Sequence, residues 1–164
     1  MHDAHMTTRI GQFVAVLLTA LALVPGGAHL LELPHKMELD RASYLTVQQI
    51  YRGWAFLGIV LIAAMVANLV LAYLCRRQRG PALLAGIAAI LLLAVLAVFF
   101  TWTFPVNQET ADWSRAPEGW ELLRVRWEYS HAANALLTLL ALGASLASVL
   151  AWRDRSTDRP GLTV

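Results

Sequence analysis

Residues 120–131 read Trp-Glu-Leu-Leu-Arg-Val-Arg-Trp-Glu-Tyr-Ser-His and lead without a break into an apolar run that extends to Trp152. Such a run, of about 20 residues, is long enough for a helix to cross the hydrocarbon core of a bilayer. Five side chains recur at intervals of three or four and so share one face of this helix: Trp120, Arg124, Trp127, His131 and Asn134. Glu128 follows Arg124 by four residues and precedes His131 by three, within side-chain reach of both. The stretch therefore predicts a helix that carries a polar and aromatic cluster into a membrane.

The whole chain has the composition of a multi-pass membrane protein. Of its 164 residues, 58% are hydrophobic and 15% are charged, whereas soluble domains carry roughly 25% charged residues. Four apolar runs are long enough to span a bilayer, at about residues 10–33, 53–75, 82–104 and 130–152. We therefore predict an all-α fold, an integral membrane four-helix antiparallel bundle over residues 10–152. The lipid bilayer is the expected partner, because a formal charge of +2 is too small and too scattered to indicate nucleic-acid binding.

Polar segments flank and connect the four runs. Residues 1–9 are the predicted amino-terminal segment and 153–164 a disordered charged tail, while 34–52 and 105–129 form the two longer connections. Within the second of these, residues 105–117 are predicted to be irregular, with Pro117 in the first turn of the last helix. No oligomeric state is predicted.

Residues near Pro25 leave two interpretations of the first run. A proline inside a helix removes one backbone hydrogen bond and predicts a kink. The following Gly-Gly-Ala also permits a secretory signal that is cleaved after Ala28. Because apolar residues continue as far as Leu33, we predict an uncleaved span.

The basic turn Arg76–Arg79, between the second and third runs, predicts the orientation of the chain. It contains three arginines in a very short loop, and basic residues in short loops stay on the cytoplasmic side. We therefore predict a protein of the plasma (inner) membrane with both termini in the cytoplasm. Segments 34–52 and 105–129 would then lie on the outer face.

This topology brings two groups of ionisable residues to a similar depth at the outer face. The first span contributes His29, Glu32 and His35, and the fourth contributes Glu128 and His131. Ionisable groups near the hydrocarbon are costly unless they are paired, so they are candidates for function. Three interpretations stay open.

One interpretation is a metal site. Glu128-x-x-His131 has the spacing of carboxylate-bridged metal sites in helical bundles. His29, Glu32 and His35 would supply further ligands. A haem held between His29 and His131 is a variant of the same interpretation. The cofactor would then be a transition metal or haem, whereas the other interpretations need none.

A second interpretation is a metal-free pocket for a hydrophobic small molecule, since ligand sites are mostly apolar with a few convergent polar groups. His131 or Glu128 would act as the base, and Arg124 or Asn107 would stabilise an anion. Four indoles would form the aromatic walls: Trp102, Trp113, Trp120 and Trp127.

The third interpretation is structural, and the protein would then be a non-enzymatic accessory or structural protein. Arg124 and Glu128 would form an i,i+4 ion pair, and the other ionisable residues would hydrogen-bond between helices. Asn68, in the middle of the second span, independently predicts an interhelical hydrogen bond.

A further pattern lies in the carboxyl half of the chain. It comprises Phe104-Pro105-Val106-Asn107, Asp112-Trp113, Pro117, Trp120, Leu123-Arg124, Trp127-Glu128 and His131. This pattern resembles the anthrone oxygenase-like family of small four-span membrane proteins. That family has a Pro-x-Asn step after its third span and an Arg-x-x-Trp-Glu-x-x-His type motif at the start of its fourth.

The resemblance implies a four-span fold and the oxygenation of an anthrone-like phenolic ring to a quinone without a dedicated cofactor. It further implies that His131 or Glu128 forms a carbanion by removing a proton, with Asn107 and Arg124 holding the oxyanion. The sequence departs from the family pattern at Asn134, where many members have arginine. The group formed by His29, Glu32 and His35 has no assigned role in the family.

Overall fold

The computed structural model describes the backbone of residues 2–153 and the side chains of residues 5–153, and within these the chain is all-α with no strand. Four long helices are α1 (His2–Glu38), α3 (Leu57–Leu74), α4 (Arg79–Val98) and α6 (Trp120–Ala151). Two short ones are α2 (Arg41–Gln48) and α5 (Phe104–Thr110). Each long helix, together with its helical extensions, is long and apolar enough to cross a membrane. The predicted all-α membrane bundle is therefore confirmed, while the predicted tail at 154–164 lies outside the described residues.

The four long helices form a closed ring in the order α1, α3, α4, α6, with each packed against two neighbours. Small residues let them approach closely: a Cβ on Gly26 of α1 would lie 3.3 Å from the Cα of Ala135 in α6. Large apolar side chains instead point outward, including Leu31, Ile90 and Leu150. This distribution suits a lipid environment, because lipid tails are as apolar as these side chains and no hydrophobic effect drives the side chains into the bundle.

The two ends of the bundle differ in construction. At one end, which we call the turn end, the loop around Arg76–Arg79 lies beside the start of α1 and the end of α6, and the His5 ring is 5.9 Å from that of Trp152. The opposite end, the cap end, carries α2, α5 and residues 111–119. Two 3₁₀ turns, Gln49–Tyr51 and Trp54–Phe56, connect α2 to α3. The orientation of these ends relative to the cytoplasm stays a prediction from the basic turn.

Helix α1 is longer than its apolar run at both ends, and it continues through Pro25 and Pro34. The predicted amino-terminal segment 1–9 is therefore part of α1 over the residues described, because the helix already begins at His2. After α1, Asp40 is the N-cap of α2 and accepts a 2.9 Å hydrogen bond from the Ser43 backbone. Aspartate is among the residues preferred at an N-cap.

The segment after the third span is more helical than predicted. A π-helical turn, Phe99–Thr103, follows α4 and leads directly into α5. Pro105 lies in the first turn of α5, where a missing backbone N–H costs little. The carbonyl of Thr101, which a helix would pair with the N–H of residue 105, accepts a 2.7 Å hydrogen bond from Arg126 instead. The predicted irregular segment therefore begins only at residue 111.

Residues 111–119 contain three consecutive residues in the left-handed region, Ala111, Asp112 and Trp113, with φ of 48°, 53° and 58°. This conformation costs an L-residue about 1–2 kcal/mol. Local hydrogen bonds hold it, including one of 3.1 Å from the Trp113 backbone to the Thr110 hydroxyl. Helix α6 begins at Trp120 after a left-handed Gly119, so the predicted start at Pro117 is wrong.

Replacing Ala111 by glycine should stabilise the protein. Ala111 is exposed and ends α5 in the left-handed conformation, which glycine adopts without a steric penalty. We expect Ala111→Gly to raise the free energy of unfolding by about 1 kcal/mol, measured by denaturation in detergent micelles. Ala97→Gly, at an exposed helical position of α4, is the control and should lower that free energy by about 0.5–1 kcal/mol. A destabilised Ala111→Gly protein would contradict the strain assigned to this turn.

Candidate functional site

Lys36, the only lysine of the chain, lies at the centre of the polar cluster at the cap end. It sits in the last turn of α1 and is 3% exposed. Its Nζ atom lies 2.9 Å from Oε2 of Glu128, 3.6 Å from Oε2 of Glu32 and 3.0 Å from Nδ1 of His29. A buried ammonium is tolerated only when charge and hydrogen bonds compensate its lost hydration. We call Lys36, Glu128, Glu32, His29 and His131 the Lys36 cluster.

Glu128 is the anionic partner of Lys36 and is fully buried in α6. Its Oε1 accepts a 2.9 Å hydrogen bond from the Tyr44 hydroxyl and a longer one, 3.4 Å, from the Gln48 amide. Its Oε2 faces Lys36 in a close ion pair whose angles fall outside good hydrogen-bond geometry. Helix α2 therefore brings two neutral donors to a carboxylate whose charge α1 balances.

Two tyrosines of the cap end remain protonated donors. Burial raises the pKa of Tyr44 above its usual value of 10, and the nearby charge of Glu128 raises it further. Burial likewise raises the pKa of Tyr51, and its hydrogen bond to Glu32 adds to the effect. Both hydroxyls therefore stay neutral and donate to carboxylates.

The two histidines of the cluster stack inside an aromatic shell. The rings of His29 and His131 are 4.2 Å apart between centroids and tilted by 33°. The Trp127 ring lies 4.9 Å from His29 and 4.2 Å from His131. Tyr51 and Trp54 cover His29 from the side, at 4.4 and 5.8 Å. The Nε2 atom of His131 is buried and has no hydrogen-bond partner among the described residues.

Arg124 and Asn107 lie beside the cluster and serve neighbouring groups. Arg124 donates to the carbonyl of Leu39 at 2.8 Å and to that of Lys36 at 3.5 Å, so it satisfies the carbonyl end of α1. The predicted Arg124–Glu128 ion pair does not form within the described chain, because Lys36 takes the carboxylate. Asn107 accepts a 2.7 Å hydrogen bond from the indole N–H of Trp127.

Three of the four predicted tryptophans surround the site, and one does not. Trp113, Trp120 and Trp127 are all buried. The Trp113 ring packs 6.0 Å from that of Trp127 above the cluster. Trp102 is 47% exposed and lines a separate lateral groove of about 680 Å³. It therefore forms no wall of the Lys36 cluster.

Four of the five predicted metal ligands belong to the Lys36 cluster: His29, Glu32, Glu128 and His131. The fifth, His35, is exposed. Across residues 5–153, no three histidine, cysteine, aspartate or glutamate side chains are arranged to hold a metal ion. The ammonium of Lys36 itself supplies the positive charge between Glu128 and His29. The two histidine rings lie over one another with a tilt of 33°, whereas two axial haem ligands would point ring nitrogens at one iron.

The sequence interpretation missed Lys36, Tyr44, Gln48 and Tyr51 as parts of the site. Lys36 follows Glu32 by four residues and His29 by seven, so the three share a helix face. That spacing was a usable signal. The partners on α2 come from a segment 80 or more residues away from Glu128, and no local pattern joins them.

Comparison of the chain with protein-family models, with curated proteins and with solved structures finds no match in any of the three. The resemblance to the anthrone oxygenase-like family therefore stays a prediction. A function has to be argued from the chemistry of the Lys36 cluster.

Removing only one member of the ion pair should destabilise the protein strongly. Lys36→Met leaves the fully buried Glu128 without a countercharge, and we expect a loss of about 3–5 kcal/mol in unfolding free energy. Adding Glu128→Gln to Lys36→Met removes the orphaned charge and should recover most of that loss. Denaturant titration in detergent micelles measures both variants.

Arg52→Met is the control for the loss of one cation. Arg52 is exposed, and its guanidinium bonds only the neighbouring Gln49 side chain among the contacts of the described residues. We expect this change to cost no more than about 0.5 kcal/mol. A Lys36→Met protein as stable as Arg52→Met would show that the buried pair is not the interaction that holds the cap end.

Proposed function

We propose that the Lys36 cluster is the acid–base site of a membrane oxidoreductase, an oxygenase that acts on a hydrophobic aromatic molecule of the anthrone or quinone type. The observation that supports this is one buried arrangement: an ammonium between a carboxylate and an imidazole, enclosed by aromatic rings. Oxygenation through a carbanion needs a base, a charge that stabilises the oxyanion and an apolar enclosure. The Lys36 cluster contains all three kinds of group.

Lys36 takes the role that the resemblance implied for Arg124 and Asn107. Its Nζ atom is a localised positive charge in an apolar setting, where electrostatic stabilisation of an oxyanion is strong. Arg124 and Asn107 are occupied with the carbonyl of Leu39 and the indole of Trp127. They act as positioning residues, which hold Lys36 and Trp127 in place.

Glu128 and His131 are the candidate bases. Glu128 is held by Lys36 and Tyr44, whereas the Nε2 atom of His131 has no hydrogen-bond partner within the described residues. A nitrogen without a partner in an aromatic enclosure is free to accept a proton from a bound ring. We therefore assign proton removal to His131, with Glu128 as the counterion of Lys36.

The net reaction balances with dioxygen as the only co-reactant. The ring methylene loses two hydrogens and gains one oxygen atom, a four-electron oxidation to a carbonyl. Dioxygen accepts the four electrons, giving that carbonyl oxygen and one water molecule. The proton that His131 removes leaves in this water, so the protein ends the cycle unchanged.

The substrate reaches the site from the lipid side through the wall formed by Tyr51 and Trp54. Both rings pack on His29, and the chain beside them is exposed, with Phe56 at 76%. Gly53 between them adopts a left-handed φ of 88°, which only glycine adopts easily.

Oxygen uptake with anthrone tests the proposal. Protein in lipid nanodiscs should consume dioxygen and form the quinone in a one-to-one ratio. His131→Ala and Lys36→Met should each lower the rate by at least 100-fold, the scale of a lost general base or oxyanion charge. Quinone absorbance and an oxygen electrode give the two readings.

His35→Ala is the matched control, because His35 is an exposed histidine on the same helix turn as Lys36. It should keep the wild-type rate. Folded wild-type protein that consumes no oxygen with anthrones or quinols would overturn the proposal and favour the non-enzymatic alternative. Stoichiometric iron or copper, or a Soret band, in the purified protein would favour the metal or haem alternative.

A further inference from the structure

A file of buried polar side chains runs along the axis of the bundle away from the Lys36 cluster. On α6, four polar residues follow one another at separations of three, four and seven: His131, Asn134, Thr138 and Ser145. Separations of this kind keep them on one helix face, which points into the bundle. All but His131 are at most 7% exposed, and they extend well into the hydrophobic span.

Helix α1 carries the complementary part of the file. Thr8, Gln12 and Thr19 are buried, at 7%, 7% and 0% exposure. Their separations of four and seven residues again correspond to one helix face. The first two lie near the turn end, beyond the depth of Ser145.

The register of α1 against α6 shows that the two sets interleave. His29 stacks on His131, and Gly26 approaches Ala135. With antiparallel helices and a rise of about 1.5 Å per residue, Thr19 lies near the depth of Ala141. Ala141 occupies the position between Thr138 and Ser145 on this face of α6, where the helix has no polar side chain. At this depth the Asn68 amide of α3 donates a 2.9 Å hydrogen bond to the Thr19 hydroxyl. Polar groups therefore succeed each other at roughly one per turn from His131 to Gln12.

Several atoms of this file have no hydrogen-bond partner among the residues that the structure describes. They are Nε2 of His131, Oδ1 of Asn134, Oδ1 of Asn68, Oγ of Ser145 and Nε2 of Gln12. Each unsatisfied buried polar atom loses its hydration without gaining a hydrogen bond in return. Polar groups that only join helices pair a donor with an acceptor. The unpaired atoms of this file therefore need a hydrogen-bond partner other than a protein side chain. Buried water is the usual one.

We propose that this file, with internal water, conducts protons between the turn end of the bundle and the Lys36 cluster. The cluster completes the route at the cap end, because the Glu32 side chain is 39% exposed and lies 3.6 Å from Lys36. Histidine and carboxylate side chains relay protons in membrane pumps and transporters, and here buried water held by the amides and hydroxyls would connect them. The fixed positive charge of Lys36 and the close approach of Gly26 to Ala135 exclude metal cations from the same route.

This inference does not rest on the proposed oxygenase activity, since the file is a property of the bundle. Experiments can also distinguish a failure of the proton-path inference from a failure of the oxygenase proposal. Asn68 lies in the middle of α3, away from the Lys36 cluster. Asn68→Leu should therefore block proton conduction and leave oxygen uptake unchanged.

Proton flux into proteoliposomes tests the path. Vesicles with a trapped pH-sensitive dye and a potassium gradient receive valinomycin, which sets a membrane potential that drives protons inward. Vesicles with wild-type protein should acidify clearly faster than vesicles without protein. Asn68→Leu and Asn134→Leu should each reduce the protein-dependent rate at least tenfold.

Two further sets of variants keep this test decisive. Ser145→Ala and Thr19→Val change little volume, so they report on the path if the leucine variants fold poorly, and each should slow the flux severalfold. Ser130→Ala is the control, because Ser130 is a buried hydroxyl that pairs with Thr103 at 2.7 Å outside the file. It should conduct like wild type. Wild-type vesicles that acidify no faster than empty ones, or folded Asn68→Leu and Ser145→Ala proteins with undiminished flux, would overturn the inference.

Discussion

The ion pair between Lys36 and Glu128 is the constraint on which the cap end depends. Taking an ammonium and a carboxylate out of water costs several kcal/mol for each ion, and their attraction alone does not reliably offset that cost. Additional hydrogen bonds have to complete the solvation of both groups. Tyr44 and Gln48 provide them for Glu128, and His29 provides one for Lys36. Helix α2 is held over the bundle by the hydrogen bonds that its Tyr44 and Gln48 side chains donate to Glu128.

Residues 111–119 of the cap end are also connected to this ion pair, through contacts with α2. Arg41, at the start of α2, bonds the carbonyl of Ala116, and the Tyr44 ring packs 4.9 Å from Trp113. The left-handed turn that places Trp113 costs free energy, so its burial against Tyr44 and Trp127 has to offset that cost. Arg124 joins α6 to the last carbonyls of α1. The free-energy cost of the left-handed turn and the gain from packing the aromatic rings are therefore coupled, and both arise beside Glu128.

The sequence was sufficient to predict what hydropathy and local chemistry decide. The four spans, the Asp40 cap and the interhelical bond of Asn68 were all predictable, because each depends on a run or on one side chain with its immediate setting. The partner of Glu128 was not. The sequence offers Arg124 one turn away, while the structure uses Lys36 from another helix. That choice depends on α1 continuing past Pro34 to Glu38, and a hydropathy profile gives no reason for a helix to extend beyond its apolar run.

The polar interior has a physical connection with the site at its end. Thr19, Thr138 and Ser148 donate to backbone carbonyls, so these three hydroxyls have hydrogen-bond partners. The amides, the imidazole and the Ser145 hydroxyl are different, because each leaves an atom without a partner among the described residues, along one line that ends at His131. If those atoms are hydrated, His131 is the point at which mobile protons meet the fixed charges of Lys36 and Glu128. The oxygenase site and the file therefore share His131 but make different demands on it. Catalysis returns the proton of His131 in the product water, whereas conduction needs the whole file to be hydrated as far as Gln12. The Glu32 side chain, 39% exposed and 3.6 Å from Lys36, connects both to the solvent at the cap end.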